Sequence, residues 1–283
     1  MKIINVNNKR EQRKCVDFLN SSRSRNLYLY ERFTSVDRRY RNFCFKSKNR
    51  LKGIANTISG RQIHLFLSDD VHKKDLSEMT AYLFNKFPMV KSFFGDKEGI
   101  VRFFNNSKIK PQKTKDFIFM ELEKEEYGRD HSFNRPASLE CIQPPPEMAP
   151  GLLPLLINYE VEELGADMGK INRSKVLVVL RSRIERGEVT ALVDRGKPVA
   201  FAGVNARFKE VCQVGSIYVL PRYRGKGYGY FIVKSHIERL FKNYSRIVLF
   251  VSTDNNRALH LYRNVGFNGT GELEQAFLPS LKI

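Results

Sequence analysis

Ile217-Tyr218-Val219-Leu220-Pro221-Arg222-Tyr223-Arg224-Gly225-Lys226-Gly227-Tyr228-Gly229 decides how the rest of the chain is read. An apolar, β-branched run predicts a strand over 211–219. A glycine-rich turn follows it, and then a helix over 228–242. Glycine lets the backbone take positive φ and approach a ligand closely. The first amides of the helix have no intrahelical acceptor and, with the helix dipole, form an anion site. Arg222, Arg224 and Lys226 add positive charge. Two common phosphate loops do not fit. A P-loop requires Ser or Thr after Gly-Lys, but Gly225-Lys226 is followed by Gly227. A dinucleotide fingerprint requires a third glycine where Tyr230 stands. What remains is Arg222-x-x-Gly225-x-Gly227.

A second segment narrows the choice. It reads Asp254-Asn255-Asn256-Arg257-Ala258-Leu259-His260-Leu261-Tyr262-Arg263-Asn264-Val265-Gly266-Phe267. Asp254 or Asn255 can cap a helix over 255–265. Ala258, Leu261, Tyr262 and Val265 fall at i, i+3, i+4 and i+7, on one face. Gly266 suits a left-handed C-terminal position. A strand rich in Ile, Val, Leu and Phe covers 246–252.

With both motifs in this order, the sequence resembles the GNAT superfamily of N-acetyltransferases. Arg222-x-x-Gly225-x-Gly227 carries the resemblance together with Asn255-x-x-Ala258-x-x-Leu261-Tyr262-x-x-x-Gly266-Phe267. The likeness covers residues 136–283. It implies an α/β fold, a mixed sheet flanked by helices. It also implies that acetyl-CoA is the co-substrate, with a primary amine as acceptor and no metal. The backbone of Ile217, Tyr218 and Val219 would pair with the pantetheine arm. The turn from Arg222 through Arg224, Gly225, Lys226, Gly227, Tyr228 and Gly229 would hold the diphosphate, and Asn255 would contact the coenzyme. Tyr262 matches the family's tyrosine that protonates the departing thiolate. The family often places a glutamate base on the strand before the turn, but Val211–Ile217 carries no carboxylate. Glu160, Glu162 and Glu163, in a helix over 146–163, are the alternatives. Tyr159 and Glu163 share a helix face, so Glu163 is the expected base.

Upstream of these motifs, Arg135-Pro136, Pro144-Pro145-Pro146 and Pro150-Gly151 punctuate the chain. A linker near 124–137 would separate a basic domain, 1–130, from the acyltransferase domain, 136–283. In the first half, helices are expected over 9–20, 26–40 and 74–86. Strands are expected over 42–48, 51–58, 62–68 and 115–122. In the second half the remaining elements are a helix over 173–184 and strands over 188–193, 199–205 and 272–278. The first half lacks both motifs. Gly95-Asp96-Lys97-Glu98-Gly99 stands near where a phosphate turn would fall, but its acids oppose phosphate. This half is similar to the degenerate N-terminal domain of tandem acetyltransferases. Such a half would shape the acceptor groove or a homodimer contact.

Composition sets the outer bounds. The chain has 283 residues, 42% hydrophobic and 28% charged, enough for one or two domains with real cores. The N-terminus lacks the apolar core of a signal peptide. No apolar run approaches the roughly 18 residues of a membrane helix, so no membrane insertion and a cytoplasmic location are expected. The four cysteines have no metal-site spacing. Net charge is +19, of which +10 (14 basic minus 4 acidic) lies in residues 1–50. Such a field attracts polyanions. It favours a rival reading: a coenzyme-binding fold that serves as a nucleic-acid or protein-interaction module with little turnover.

Overall fold

The computed structural model describes residues 1–20, 26–35, 37, 39–128 and 138–279. The chain separates into two units by contacts, and the division is interleaved. The first holds Met1–Met120, Phe250–Asn255 and Gly269 onward. The second holds Glu121–Leu249 and Asn256–Asn268. Residues 129–137, which carry most of the expected linker, lie outside the described residues.

The first half runs β1 (Lys2–Asn5), α1 (Lys9–Leu19), α2 (Leu27–Thr34), β2 (Arg41–Ser47), β3 (Arg50–Thr57) and β4 (Gln62–Leu67). It continues with α3 (Lys73–Lys86), β5 (Ser92–Asp96), α4 (Lys97–Asn105) and β6 (Lys113–Glu123). The second half repeats that order. It runs β7 (Leu139–Ile142), α5 (Ala149–Glu162), α6 (Arg173–Glu185), β8 (Val189–Asp194), β9 (Lys197–Phe208) and β10 (Val211–Val219). Then come α7 (Tyr228–Leu240), β11 (Arg246–Ser252), α8 (Asn256–Val265) and β12 (Asn268–Phe277). The α/β class expected from sequence is the one observed.

In the first unit the strand order is β1-β2-β3-β4-β5-β12-β6. Phe43, Phe45, Phe93 and Phe103 form its core with α3 residues Leu76, Met79 and Leu83. In the second unit the order is β11-β10-β9-β8-β7. Leu152, Leu155 and Leu156 of α5, with Leu180 and Ile184 of α6, pack on Val189, Ala191, Phe201 and Tyr218. Arg246–Ser252 is apolar on both faces, as a buried parallel strand must be.

Three expectations change. The helix expected over 26–40 stops at Thr34, and Ser35 is extended. The stretch left without assignment before residue 107 holds β5 and α4, so Gly95-Asp96 ends a strand and Lys97 opens a helix. The last strand exists, but Leu273–Phe277 pairs antiparallel with β5 of the first unit. Ala276 belongs to that unit's core. Alternation in a sequence identifies a strand but not its neighbour. Pro150, by contrast, fits the first turn of α5, where a missing N–H costs nothing.

Gly95 is where the first unit closes tightly. A Cβ there would collide with the carbonyl oxygen of Leu65 across the β4–β5 pair. Gly95→Ala should destabilise the protein by at least about 2 kcal/mol, through overpacking against backbone that cannot give. Gly99→Ala is the control, because its methyl would lie 3.8 Å from Leu67 Cβ. Thermal melts should show a lower Tm for Gly95→Ala only. Equal melts would contradict the close approach.

Candidate coenzyme and active site

The site in the second unit begins with a strand pair that parts. β10 and β11 run parallel and are paired at Val211↔Arg246, Cys212↔Ile247 and Gln213↔Val248. Among the described residues no pairing follows, although β10 continues to Val219 and β11 to Ser252. Backbone groups on that side of residues 214–219 therefore need another partner. On its other side β10 stays paired with β9, with a register shift between Gly215 and Tyr218. Ser216 sits there at φ +53, the local kink of a bulge. Gln213, at the last paired position, is 3% exposed, and its Nε2 has no partner among the described residues. The sequence reading gave this buried amide no role; its only signal was a polar residue in an apolar strand.

The turn after β10 is built on two left-handed glycines, Gly225 at φ +76 and Gly227 at φ +78. Gly227 occupies the N-cap of α7 without a side-chain cap. The first helical bond runs from Phe231 N–H to Gly227 O, so the amides of Tyr228 and Gly229 have no intrahelical acceptor. A Cβ on Gly225 would meet no atom within 4 Å, which leaves open space above the turn. A Cβ on Gly229 would lie in ordinary contact with Leu261 Cδ2, at 3.6 Å, where α7 packs on α8. The spacing Arg-x-x-Gly-x-Gly is in fact met twice, and the second frame is Arg224, Gly227 and Gly229. It is this frame whose glycines start the helix.

Arg224 does not face the open turn. Its Nε donates to Val219 O at 2.9 Å and its Nη2 to Glu162 Oε2 at 2.7 Å. Tyr218 donates its hydroxyl to Glu162 Oε1 at 2.5 Å, and the Arg224 guanidinium lies 5.1 Å from the Tyr218 ring. The Tyr218 and Arg224 hydrogen bonds hold the Glu162 carboxyl below its ordinary range. Burial first, and then Glu162, push the Tyr218 phenol up to about 12. The three side chains tie the end of α5 to the end of β10. Arg222 and Lys226 remain exposed beside the turn.

Tyr262 is 9% exposed on α8, edge-on to Phe267 at 5.9 Å. Burial, then Tyr159 and Glu163, raise its phenol well above the usual tyrosine range. It therefore keeps its proton at neutral pH. Leu259 and Val265 are buried with it, and Gly266 ends the helix at φ +110. Glu163 caps α5 at its C-terminus and is exposed. Burial raises the Glu160 carboxyl. Asn255 immediately precedes α8, donating its N–H to Ser252 O at 3.0 Å, and by contacts it falls in the first unit. The second unit thus contains Ile217, Tyr218, Val219, the 222–229 turn, Tyr262 and Glu163, whereas Asn255 is counted with the first. His236 is no acid–base candidate. It is 1% exposed, 2.7 Å from Thr190 Oγ1, and its pKa is brought down to about 3 by burial and Arg239.

The corresponding place in the first unit is closed. β4 and β5 stay paired from Gln62↔Ser92 to Leu65↔Gly95, nearly the whole of β5. Aromatic rings fill that region: Tyr28 stacks on His64 at 5.4 Å, and His64 meets Phe94 at 5.5 Å. The turn into α3 carries Asp69 and Asp70. Lys52 binds Asp70 at 2.6 Å, and Lys52 with Ser68 draws that carboxyl down to about 2. An acidic turn before a helix does not attract phosphate.

Comparison with known proteins bears on the fold and on family likeness. Residues 163–267 match the model of the acetyltransferase (GNAT) family. An uncharacterised N-acetyltransferase of Methanocaldococcus jannaschii is 34% identical over 79 residues. That stretch is 25% of this chain and 35% of the relative, so the match spans about a third of the relative's length. A GNAT-family acetyltransferase from Colwellia psychrerythraea superposes at TM-score 0.65 with 12% identity, covering 99% of this chain and 100% of that one. A tandem GNAT protein from the clavulanic acid biosynthesis pathway gives TM-score 0.65 at 12% identity, with 98% of each chain covered. Residues 163–267 are thus similar to the acetyltransferase (GNAT) family, and the fold of nearly the whole chain is shared with solved structures that include a tandem GNAT protein.

The Glu162 clamp has a pH signature. Its carboxyl is part-exposed, so the ion pair is screened and contributes only about 0.5–1 kcal/mol. Its folded pKa is depressed. The contribution is therefore complete above the unfolded value of about 4.3 and lost as pH falls through the folded value. Glu162→Gln should melt below wild type at pH 7, and the gap should close under acid. A gap independent of pH would mean that the carboxylate charge plays no part.

Proposed function

We propose that the protein is an N-acetyltransferase that moves the acetyl group of acetyl-CoA to a primary amine by direct attack. One observation carries this reading: β10 and β11 part after Gln213↔Val248, and β10 leads into a turn with Gly225 and Gly227 left-handed at the start of α7. The parted strand offers its backbone to an extended amide-bearing arm. The amides from Gly225 to Gly229 offer donors to a diphosphate, with Arg222 and Lys226 adding charge. Ile217, Tyr218 and Val219 line the arm. Asn255 is proposed as a further coenzyme contact.

The chemistry needs three tasks. Glu163, whose charge reaches Tyr262, takes a proton from the acceptor ammonium. The neutral amine then attacks the thioester carbonyl. The tetrahedral intermediate expels the thiolate, and the Tyr262 phenol protonates it. Backbone N–H groups of β10 beyond its last pair with β11 would stabilise the developing oxyanion.

A second reading keeps the fold and replaces turnover with polyanion binding. Exposed Lys9, Arg10 and Arg13 on α1 favour it. Its mark would be RNA or DNA binding that weakens steeply with salt.

Calorimetric titration with acetyl-CoA, with NAD and ATP as controls, tests the first reading. Saturable binding of acetyl-CoA alone is expected, and its absence would refute the reading. Gly227→Glu should abolish that binding, because it puts a side chain and a negative charge into the turn. Tyr262→Phe should lower kcat by about ten- to a hundredfold at nearly unchanged coenzyme affinity. An equal loss of affinity would make Tyr262 a packing residue.

A further inference from the structure

A basic cleft lies beside the glycine turn, and no sequence motif marks the hairpin that forms its other side. It measures about 610 Å³ and is lined by Asp194, Arg195, Lys197, Arg222, Tyr223 and Lys226. Half of the lining comes from the turn after β10 and half from the hairpin between β8 and β9. Four cations share the cleft with one carboxylate. Among the described residues none of the four is in an ion pair, whereas Arg224, from the same turn, is held by Glu162. Like charges gathered from two elements repel one another until an anion enters.

The hairpin adds an observation of its own. Arg195 has φ +48 and Gly196 φ +77, a two-residue turn with both positions left-handed. Asn, Asp or Gly is the usual residue at the first position, because other side chains are strained there. This turn holds Arg195 at the rim of the cleft. Within the cleft the Tyr223 ring is stacked on Tyr228 at 5.6 Å. It is faced by Arg222 at 5.0 Å and Lys226 at 5.9 Å, so the two long cations share one aromatic support. Asp194 keeps Oδ1 buried without a partner among the described residues.

We propose that this cleft is a phosphomonoester site that takes the 3′-phosphate of the coenzyme. The inference rests on the reading of the glycine turn as the diphosphate site. Coenzyme A carries its 3′-phosphate one ribose away from the diphosphate. The cleft begins at the side chains of the turn whose amides would face that diphosphate. A phosphate monoester carries close to two negative charges at neutral pH. A guanidinium can grip it with two parallel bonds, and an ammonium adds a point charge. Arg195 and Lys197 thereby make the protein selective for the 3′-phosphorylated coenzyme over its dephospho form. A phosphorylated acceptor would present the same group, and the test separates the two sources.

Calorimetric titration of the full chain compares acetyl-CoA with acetyl-3′-dephospho-CoA, for wild type and for the Arg195→Gly, Lys197→Gln double variant. Glycine keeps the left-handed turn without strain, so the variant should fold. Wild type should bind acetyl-CoA at least about tenfold more tightly, and the double variant should lose most of that preference by weakening for acetyl-CoA alone. Equal affinity of wild type for the two forms would overturn the proposal and leave the coenzyme reading standing. A phosphorylated acceptor in this cleft would give that result, with the variant raising the acceptor KM. A preference that survives in the double variant would overturn the assignment to these residues. No binding of either form would overturn the coenzyme reading, and this proposal with it.

Discussion

Two parallel strands that stop pairing partway along their length set the terms for the second unit. Once β10 and β11 separate after Gln213↔Val248, peptide groups on one side of β10 have no sheet partner. A fold tolerates this only where something else can complete the hydrogen bonding. The neighbouring features follow from it. The bulge at Ser216 turns β10 along the gap, and two left-handed glycines bring the chain into α7 with its first amides exposed. The Glu162 pairing with Tyr218 and Arg224 anchors the strand's free end to α5. Tyr262 belongs to α8, which is packed against α7.

The first unit shows what the same element order becomes without that gap. β4 and β5 remain paired, Gly95 admits no side chain, and stacked rings from Tyr28 to Phe94 occupy the region. The turn that would face an anion carries carboxylates instead. Each change favours internal packing over ligand binding. The duplicated element order is shared with a tandem GNAT protein over 98% of each chain.

The sequence revealed those parts of the site that depend on local backbone chemistry. Gly225 and Gly227 were legible because few other residues hold positive φ, and α8 because its apolar period ends at Gly266. Less legible was what depends on partners distant in the chain. β12 reads as a strand, yet nothing in Asn268–Phe277 says that it pairs with β5. Arg224 looked like a phosphate ligand until the structure paired it with Glu162, 62 residues away. The repeated Arg-x-x-Gly-x-Gly spacing allowed two frames, and only the helix start distinguishes them. Gln213 and the cleft at Arg195 and Lys197 carry no motif at all. They emerge once burial and proximity are known.

Hydrogen–deuterium exchange of the full chain with and without acetyl-CoA tests the central claim most directly. If the parted strand and the glycine turn receive the coenzyme, amides in 214–219 and 225–229 should be slowed on binding. Those in 62–72 of the first unit should be unchanged. Protection that appears equally in 62–72, or nowhere in 214–229, would contradict the account.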